Sequence, residues 1–204
     1  MPKITDVTLQ TNKKNRCNLF VDGEFFCGVS LETVMKFRLK AGLDIETEEL
    51  DRLIKENERA EALAKAVDYL SKRLKTKREV KDYLLKKGYS EDVCWYCVDK
   101  LKDYGYVNDE DYSKRYIESV SKKQGRRLTE YKLMMKGVRK EDINSAFDQT
   151  EVDDKDNALR LAEKHIKNKE INKENLAKTY RYLIGKGFNH EQAGFAIDKL
   201  KEEV

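Results

Sequence analysis

Proline is all but missing from the chain: the only one is Pro2. From residue 3 onward nothing removes a backbone N–H or drives a ring into the preceding turn, so long stretches of helix are open to it. Histidine is nearly as scarce. His165 and His190 stand alone, and neither has a Ser, Cys or Asp partner at a spacing that suggests nucleophilic catalysis. No window approaches the roughly 18 uninterrupted apolar residues of a membrane span, and Met1–Gln10 is polar from the start, so neither a membrane anchor nor a secretory leader is expected. The four cysteines then read as reduced thiols in a cytoplasm. A phosphate loop, a dinucleotide fingerprint and His-Glu-x-x-His are all lacking, and no carboxylate pair stands in an apolar setting. Nothing points to an enzyme, a cofactor or a metal.

Two cysteine pairings test that reading. Cys94-Trp95-Tyr96-Cys97 has thioredoxin-like spacing, but it lies inside a helix opened by Ser90 with no strand before it. A small core residue is the simpler role for Cys97. A zinc site would need Cys17 and Cys27 as well. Those two flank a hairpin turn at Asp22-Gly23, and strand alternation is expected to send them to opposite faces.

The 204 residues are rich in charge instead: Lys and Arg number 42 against 38 Asp and Glu, a net charge of only +4, and 39% of the chain is apolar. The apolar residues fall in periodic order, which argues for a folded chain. Ile4 to Val29 alternates with the period of strands. Lys13-Lys14-Asn15 reads as one turn and Asp22-Gly23 as a second, of type I′. The expectation is a small three-stranded antiparallel sheet that needs a helix to pack on. From Ser30 the period becomes helical. Leu31 to Leu39 gives a short helix stopped at Gly42, and an apolar stripe through Leu50, Leu53, Ala66 and Leu70 continues under a segment, 43–61, with eight acidic and three basic residues.

The rest is repetitive. Lys87-Gly88, Lys136-Gly137 and Lys186-Gly187 each close a helical pattern, 49 and 50 residues apart. Two apolar residues precede each pair at the same offsets, and one apolar residue (Tyr89, Val138, Phe188) follows it. Nine residues past each glycine stands a small-apolar-Asp triplet: Cys97-Val98-Asp99, Ala146-Phe147-Asp148 and Ala196-Ile197-Asp198. Glycine just past a helix takes the left-handed turn that satisfies the last carbonyls. Thr76 with Glu79 forms a capping box, Ser90, Asn108, Asn172 and Asn189 open further helices, and Gly105 and Gly125 are positioned to end others. The expected architecture is mainly α: an elongated array of three tandem three-helix repeats behind a small N-terminal antiparallel β-sheet. Its segments are 1–45 (sheet and short helix), 46–107 (linking helix and first repeat), 108–152 (second repeat) and 153–204 (third repeat). His165 takes a place held by Tyr69 and Tyr116 in the other repeats and is expected to pack.

Charge is segregated along this array. Residues 113–140 hold ten basic against two acidic side chains, and 65–87 hold nine against three, while 141–156 hold seven acidic and one basic. Such segregation suits a partner that is a polyanion on one face and a protein on another. The candidate contacts are Lys72, Arg73, Lys77, Arg78, Arg115, Lys122, Lys123, Arg126, Arg127, Lys132 and Lys136.

Ala66-Val67-Asp68-Tyr69-Leu70-Ser71-Lys72-Arg73, Lys86-Lys87-Gly88-Tyr89, Tyr104-Gly105-Tyr106-Val107-Asn108-Asp109-Glu110-Asp111-Tyr112 and Lys136-Gly137-Val138 together resemble the signature of the RecX family, over roughly residues 60–200. In this chain Ser113 stands where a small alanine is usual and Thr129 where an apolar residue packs. The resemblance implies a bacterial, cytoplasmic, monomeric regulator of the RecA recombinase, acting in homologous recombination, DNA repair and the SOS response. It implies binding in the groove of the RecA filament on single-stranded DNA, and inhibition of strand exchange and the coupled ATP hydrolysis. A free-standing helical DNA-binding module is the competing class.

Overall fold

A computed structural model describes residues 1–11 and 13–202, leaving aside the side chains of Lys13 and Lys14. It is mainly helical, with a three-stranded antiparallel sheet at the N-terminus. Two units emerge: Met1–Arg73 with Lys81–Asp103, and Leu74–Val80 with Tyr104–Val204.

The first unit opens with β1 (Ile4–Gln10), β2 (Lys13–Val21) and β3 (Glu24–Ser30), paired in the order β1-β2-β3. Asp22 and Gly23 have φ of 51° and 86°, the positive pair that a type I′ turn requires. The other reversal differs from expectation. Lys13, Lys14 and Asn15 belong to β2, where Lys13 pairs with Gln10, so they do not form the turn; Asn12 lies outside the described residues. The two cysteines also differ: Cys17 faces Val29 and Leu19 faces Cys27. Residues directly opposed share a face, so Cys17 and Cys27 both point to the core. The reason is a bulge. Phe20 pairs with Phe25 while Leu19 pairs with Cys27, so one extra residue on β3 shifts the alternation.

Helix α1 (Leu31–Lys36) is capped by Ser30 Oγ, which accepts from the Thr33 N–H. It ends before Gly42, because Arg38 takes the left-handed conformation (φ 49°) and the Leu39 N–H returns to the Val34 carbonyl, burying Leu39. Helix α2 (Thr47–Lys72) lays Leu50 and Leu53 against Ile4, Leu19 and Val29. Buried Asn57 ties it to the sheet, donating to the Gly28 carbonyl at 2.9 Å. Helices α3 (Lys77–Lys86) and α4 (Glu91–Asp103) complete the unit, although the first turn of α3 belongs to the second. Cys94 and Cys97 are wholly buried among Val93, Val98 and Leu101. Burial holds both thiols above their ordinary pKa, Cys97 at about 11. Neither is a thiolate at neutral pH.

The second unit holds α5 (Asp109–Val120), α6 (Arg126–Met135), α7 (Lys140–Asp148), α8 (Asp154–Ile166), α9 (Lys173–Gly185) and α10 (His190–Glu202). The glycine turns behave as the repeat pattern requires. Gly88, Gly137 and Gly187 have φ of 89°, 81° and 91°. After each, the next residue's N–H returns to the leucine five positions back (Tyr89 to Leu84, Val138 to Leu133, Phe188 to Leu183). All three leucines are fully buried, each stabilising by about 1.5–3 kcal/mol. Ser113 and Thr129 are buried but satisfied, donating to the Asp109 and Gly125 carbonyls. His165 packs as expected, stacked 4.4 Å from Tyr182 and bonded to Thr179.

Gly125 does not end a helix. It is the N-cap of α6 with φ −80°, and it is needed for close approach: a Cβ there would sit 2.6 Å from the Gly187 carbonyl oxygen. The Gly125 and Arg127 N–H groups donate to the Lys186 and Gly187 carbonyls, so the end of α9 caps the start of α6. One repeat earlier, Thr76 Oγ1 donates to the Lys136 carbonyl and Arg78 covers Gly137. The Gly137 and Gly187 turns therefore each dock on the start of the preceding repeat's middle helix, with the negative end of one dipole at the positive end of the next.

Candidate nucleic-acid interface

The turn from α5 to α6 presents the densest cations. Its shape is set by Gln124, which is buried although polar. Its amide donates to Thr129 Oγ1 at 3.0 Å, and its carbonyl oxygen accepts from Lys132 Nζ. With Gln124 held inward, Lys122 and Lys123 are left exposed, next to Arg126 and Arg127 at the start of α6. Arg115 sits on the outer face of α5, opposite buried Ser113 and Ile117.

The eleven predicted contacts divide by what already holds them. Arg126 bonds Glu130 at 2.6 Å and lies 4.4 Å over the Phe147 ring. Lys132 holds Gln124. Lys136 pairs with Glu79 at 2.6 Å. Partial burial pulls the Lys136 pKa down, but its bonds to Glu79 and Tyr112 outweigh that and hold it above the ordinary lysine value. The Lys77 N–H donates to Asp109, and Arg78 is pressed on Gly137. Lys136, Arg78 and the Lys77 backbone join the first repeat to the second, whereas Arg126 and Lys132 brace α6 and its turn within the second repeat. Lys72 keeps a long, exposed pair with Asp68 at 3.5 Å, an interaction worth little. Arg73, Arg115, Lys122, Lys123 and Arg127 are exposed, and among the described residues no carboxylate pairs with them. Lys72 and Arg73 belong to the first unit and the other nine to the second, where Arg115, Lys122, Lys123 and Arg127 form the available set.

The outward face of α6 escaped the sequence reading. Tyr131, Met134 and Met135 are 57%, 46% and 65% exposed, and they follow Arg127 at helical spacing opposite buried Thr129 and Leu133. Counting four, seven and eight residues on from Arg127 would have found them. Exposed cations beside an exposed aromatic suit a phosphate backbone with a base stacked on the ring, or an acidic protein surface with an apolar anchor. The start of α6 offers fewer donors to a phosphate than a free helix end, because the Gly125 and Arg127 N–H groups are already spent on the Lys186 and Gly187 carbonyls.

Among the described residues no cluster of three or more His, Cys, Asp or Glu side chains is arranged to hold a metal, and no helix is long and apolar enough to cross a membrane.

Known proteins share this architecture. The family model of the regulatory protein RecX N-terminal domain matches residues 2–46, and that of the RecX first three-helix domain matches 62–101. Regulatory protein RecX of Clostridium beijerinckii is 35% identical over 98% of this chain and 96% of its own length. That of Bacillus subtilis is 28% identical over 100% of this chain and 79% of its own. Among crystal structures, a regulatory protein RecX superposes with a TM-score of 0.78 at 22% identity, covering 97% of this chain and all of that one. RecX from Lactobacillus salivarius gives 0.64 at 24% identity, covering 71% and 97%. With a full-length relative at this identity and the same sheet-plus-three-helix-domain architecture, the chain belongs to the RecX family of regulatory proteins.

Proposed function

We propose that the chain regulates the RecA recombinase in the cytoplasm, binding as a monomer in the groove of the RecA filament on single-stranded DNA and inhibiting strand exchange and the coupled ATP hydrolysis. The observation that carries this reading is the set Arg115, Lys122, Lys123 and Arg127: four exposed cations that no carboxylate pairs with among the described residues, three of them flanking the buried Gln124–Thr129 link. A preorganised cationic surface meets a polyanionic polymer at little entropic cost. The second repeat, 108–152, is the module that makes this contact. Repeats engaging successive filament subunits add weak contacts through effective concentration. A regulator lodged there blocks duplex entry and restrains the subunit motions that accompany hydrolysis. Arg126, Lys132 and Lys136 act indirectly, by holding the helices that carry the free cations.

The test is RecA ATPase on single-stranded DNA with the wild type and with Arg115, Lys122, Lys123 and Arg127 all changed to Glu. Inhibition is expected to need at least about tenfold more of the variant, 1.4 kcal/mol or more of lost binding. Equal inhibition by both proteins refutes the role given to these four residues. A free-standing DNA-binding module would instead bind naked single-stranded DNA as tightly as the filament.

A further inference from the structure

The repeats can be compared position by position, and one groove stands out. In the second repeat the space between α6 and α7 is plugged by its own side chains: Arg126 lies over Phe147, is held by Glu130 at 2.6 Å, and reaches Asn144. Fifty residues on, the third repeat has Leu176, Ile197, Tyr180 and Gly194 at these places. The plug is gone. Between α9 and α10 a groove of about 470 Å³ opens, floored by Leu176, Ala177, Tyr180 and Ile197 and rimmed by Lys173, Arg181 and Lys201.

The charge of the rim decides what fits. Lys201 pairs with Asp198 at 2.7 Å. Among the described residues no carboxylate pairs with Lys173 or Arg181, both exposed. Apolar floor and cationic rim together select an acidic segment with apolar anchors, and a cleft between two helices suits an amphipathic helix laid along it. A nucleic-acid backbone would leave the apolar floor unfilled, so the floor argues for protein. We propose that the α9–α10 groove of the third repeat is a second, separate docking site that takes an acidic amphipathic helix of a protein partner, independent of the cations on α5 and α6. It gives the protein a polyanion-facing surface on one repeat and a protein-facing groove on another.

The probe is a short fluorescein-labelled peptide with Leu at i, i+3, i+4 and i+7 and Glu elsewhere, titrated by fluorescence anisotropy into the full chain. Two control peptides replace every Glu by Lys, or every Leu by Ala. The variant Leu176→Arg/Tyr180→Glu rebuilds the second repeat's plug. The variant Lys173→Glu/Arg181→Glu touches only exposed side chains and serves should the first unfold. Binding of the acidic peptide is expected to be at least about tenfold tighter than either control and to weaken at least about tenfold in each folded variant, 1.4 kcal/mol per decade. Equal binding of acidic and basic peptides, or binding unchanged by both variants, overturns the proposal. So does sedimentation showing wild-type dimers that the plug variant loses, since the groove would then belong to a second copy. Charge reversal at Arg115, Lys122, Lys123 and Arg127 is expected to leave peptide binding unchanged, which separates this site from the RecA contact.

Discussion

Gly125→Ala isolates the junction between repeats. Gly125 has an ordinary φ of −80°, so alanine meets no backbone strain, yet its Cβ would lie 2.6 Å from the Gly187 carbonyl oxygen and 2.7 Å from the Phe188 nitrogen. Neither is a flexible side chain, so the turn must lift away. Lifting breaks the bonds from Gly125 N–H to Lys186 and from Arg127 N–H to Gly187, at 2.9 and 3.2 Å. At about 1 kcal/mol each, with about 2 kcal/mol for the forced packing against backbone and about 0.4–1 kcal/mol offset by the less flexible unfolded chain, the loss is about 3 kcal/mol. Gly88→Ala supplies the contrast. Gly88 has φ 89° with nothing within 4 Å of its missing Cβ, so only left-handed strain applies. That strain costs about 1–2 kcal/mol, offset by about 0.4–1 kcal/mol for the less flexible unfolded chain, leaving about 1 kcal/mol. Urea unfolding gives the totals, and hydrogen exchange at the Gly125 and Arg127 amides locates the damage. The Gly125 variant is expected to be the less stable by about 2 kcal/mol, with both amides losing protection. A Gly125 variant no worse than Gly88→Ala, or with both amides as protected as in the wild type, would refute the docking argument.

Other expectations follow from the same contacts. Burial, the main influence on Asp109, raises its pKa above 3.8 even though its carboxylate accepts the Lys77 N–H. The folded state therefore holds this proton more tightly than the unfolded one, and the group's contribution to stability falls as pH rises from about 4 through the raised value. Asp109→Asn keeps an oxygen for the Lys77 N–H, so urea melts across pH should show that decline flattened and stability at pH 7 no lower than the wild type. Cys94 and Cys97 should react with a thiol reagent at pH 7.5 only on unfolding, and rapid labelling of either in the native protein would contradict their burial. If Arg115, Lys122, Lys123 and Arg127 each meet one phosphate of single-stranded DNA, changing all four to Ala should reduce the slope of log affinity against log salt by about 2.8. An unchanged slope would place these residues against protein.

The strands, the Asp22-Gly23 turn and the three glycine caps were legible in the sequence because each follows from local chemistry: alternation, positive φ and the return of an N–H to a leucine carbonyl. What stayed hidden depends on distant residues. The extra residue on β3, which turns Cys27 inward beside Cys17, shows only in the register against β2. Gly125 looked like a helix stop and is a helix start, since its need for no side chain comes from Gly187, far along the chain. The basic clusters were visible as clusters, but sequence could not divide them. Arg126, Lys132 and Lys136 look like Lys122 and Arg127 until Phe147, Gln124 and Glu79 are seen beside them.

Co-sedimentation of the full chain with preformed RecA filaments on single-stranded DNA, beside the same DNA without RecA at the same salt, tests the central proposal most directly. Saturable pelleting with the filament, weakened by charge reversal at Arg115, Lys122, Lys123 and Arg127 and far stronger than association with naked DNA, is the predicted result. Equal association with filament and naked DNA, or none with the filament, would contradict it.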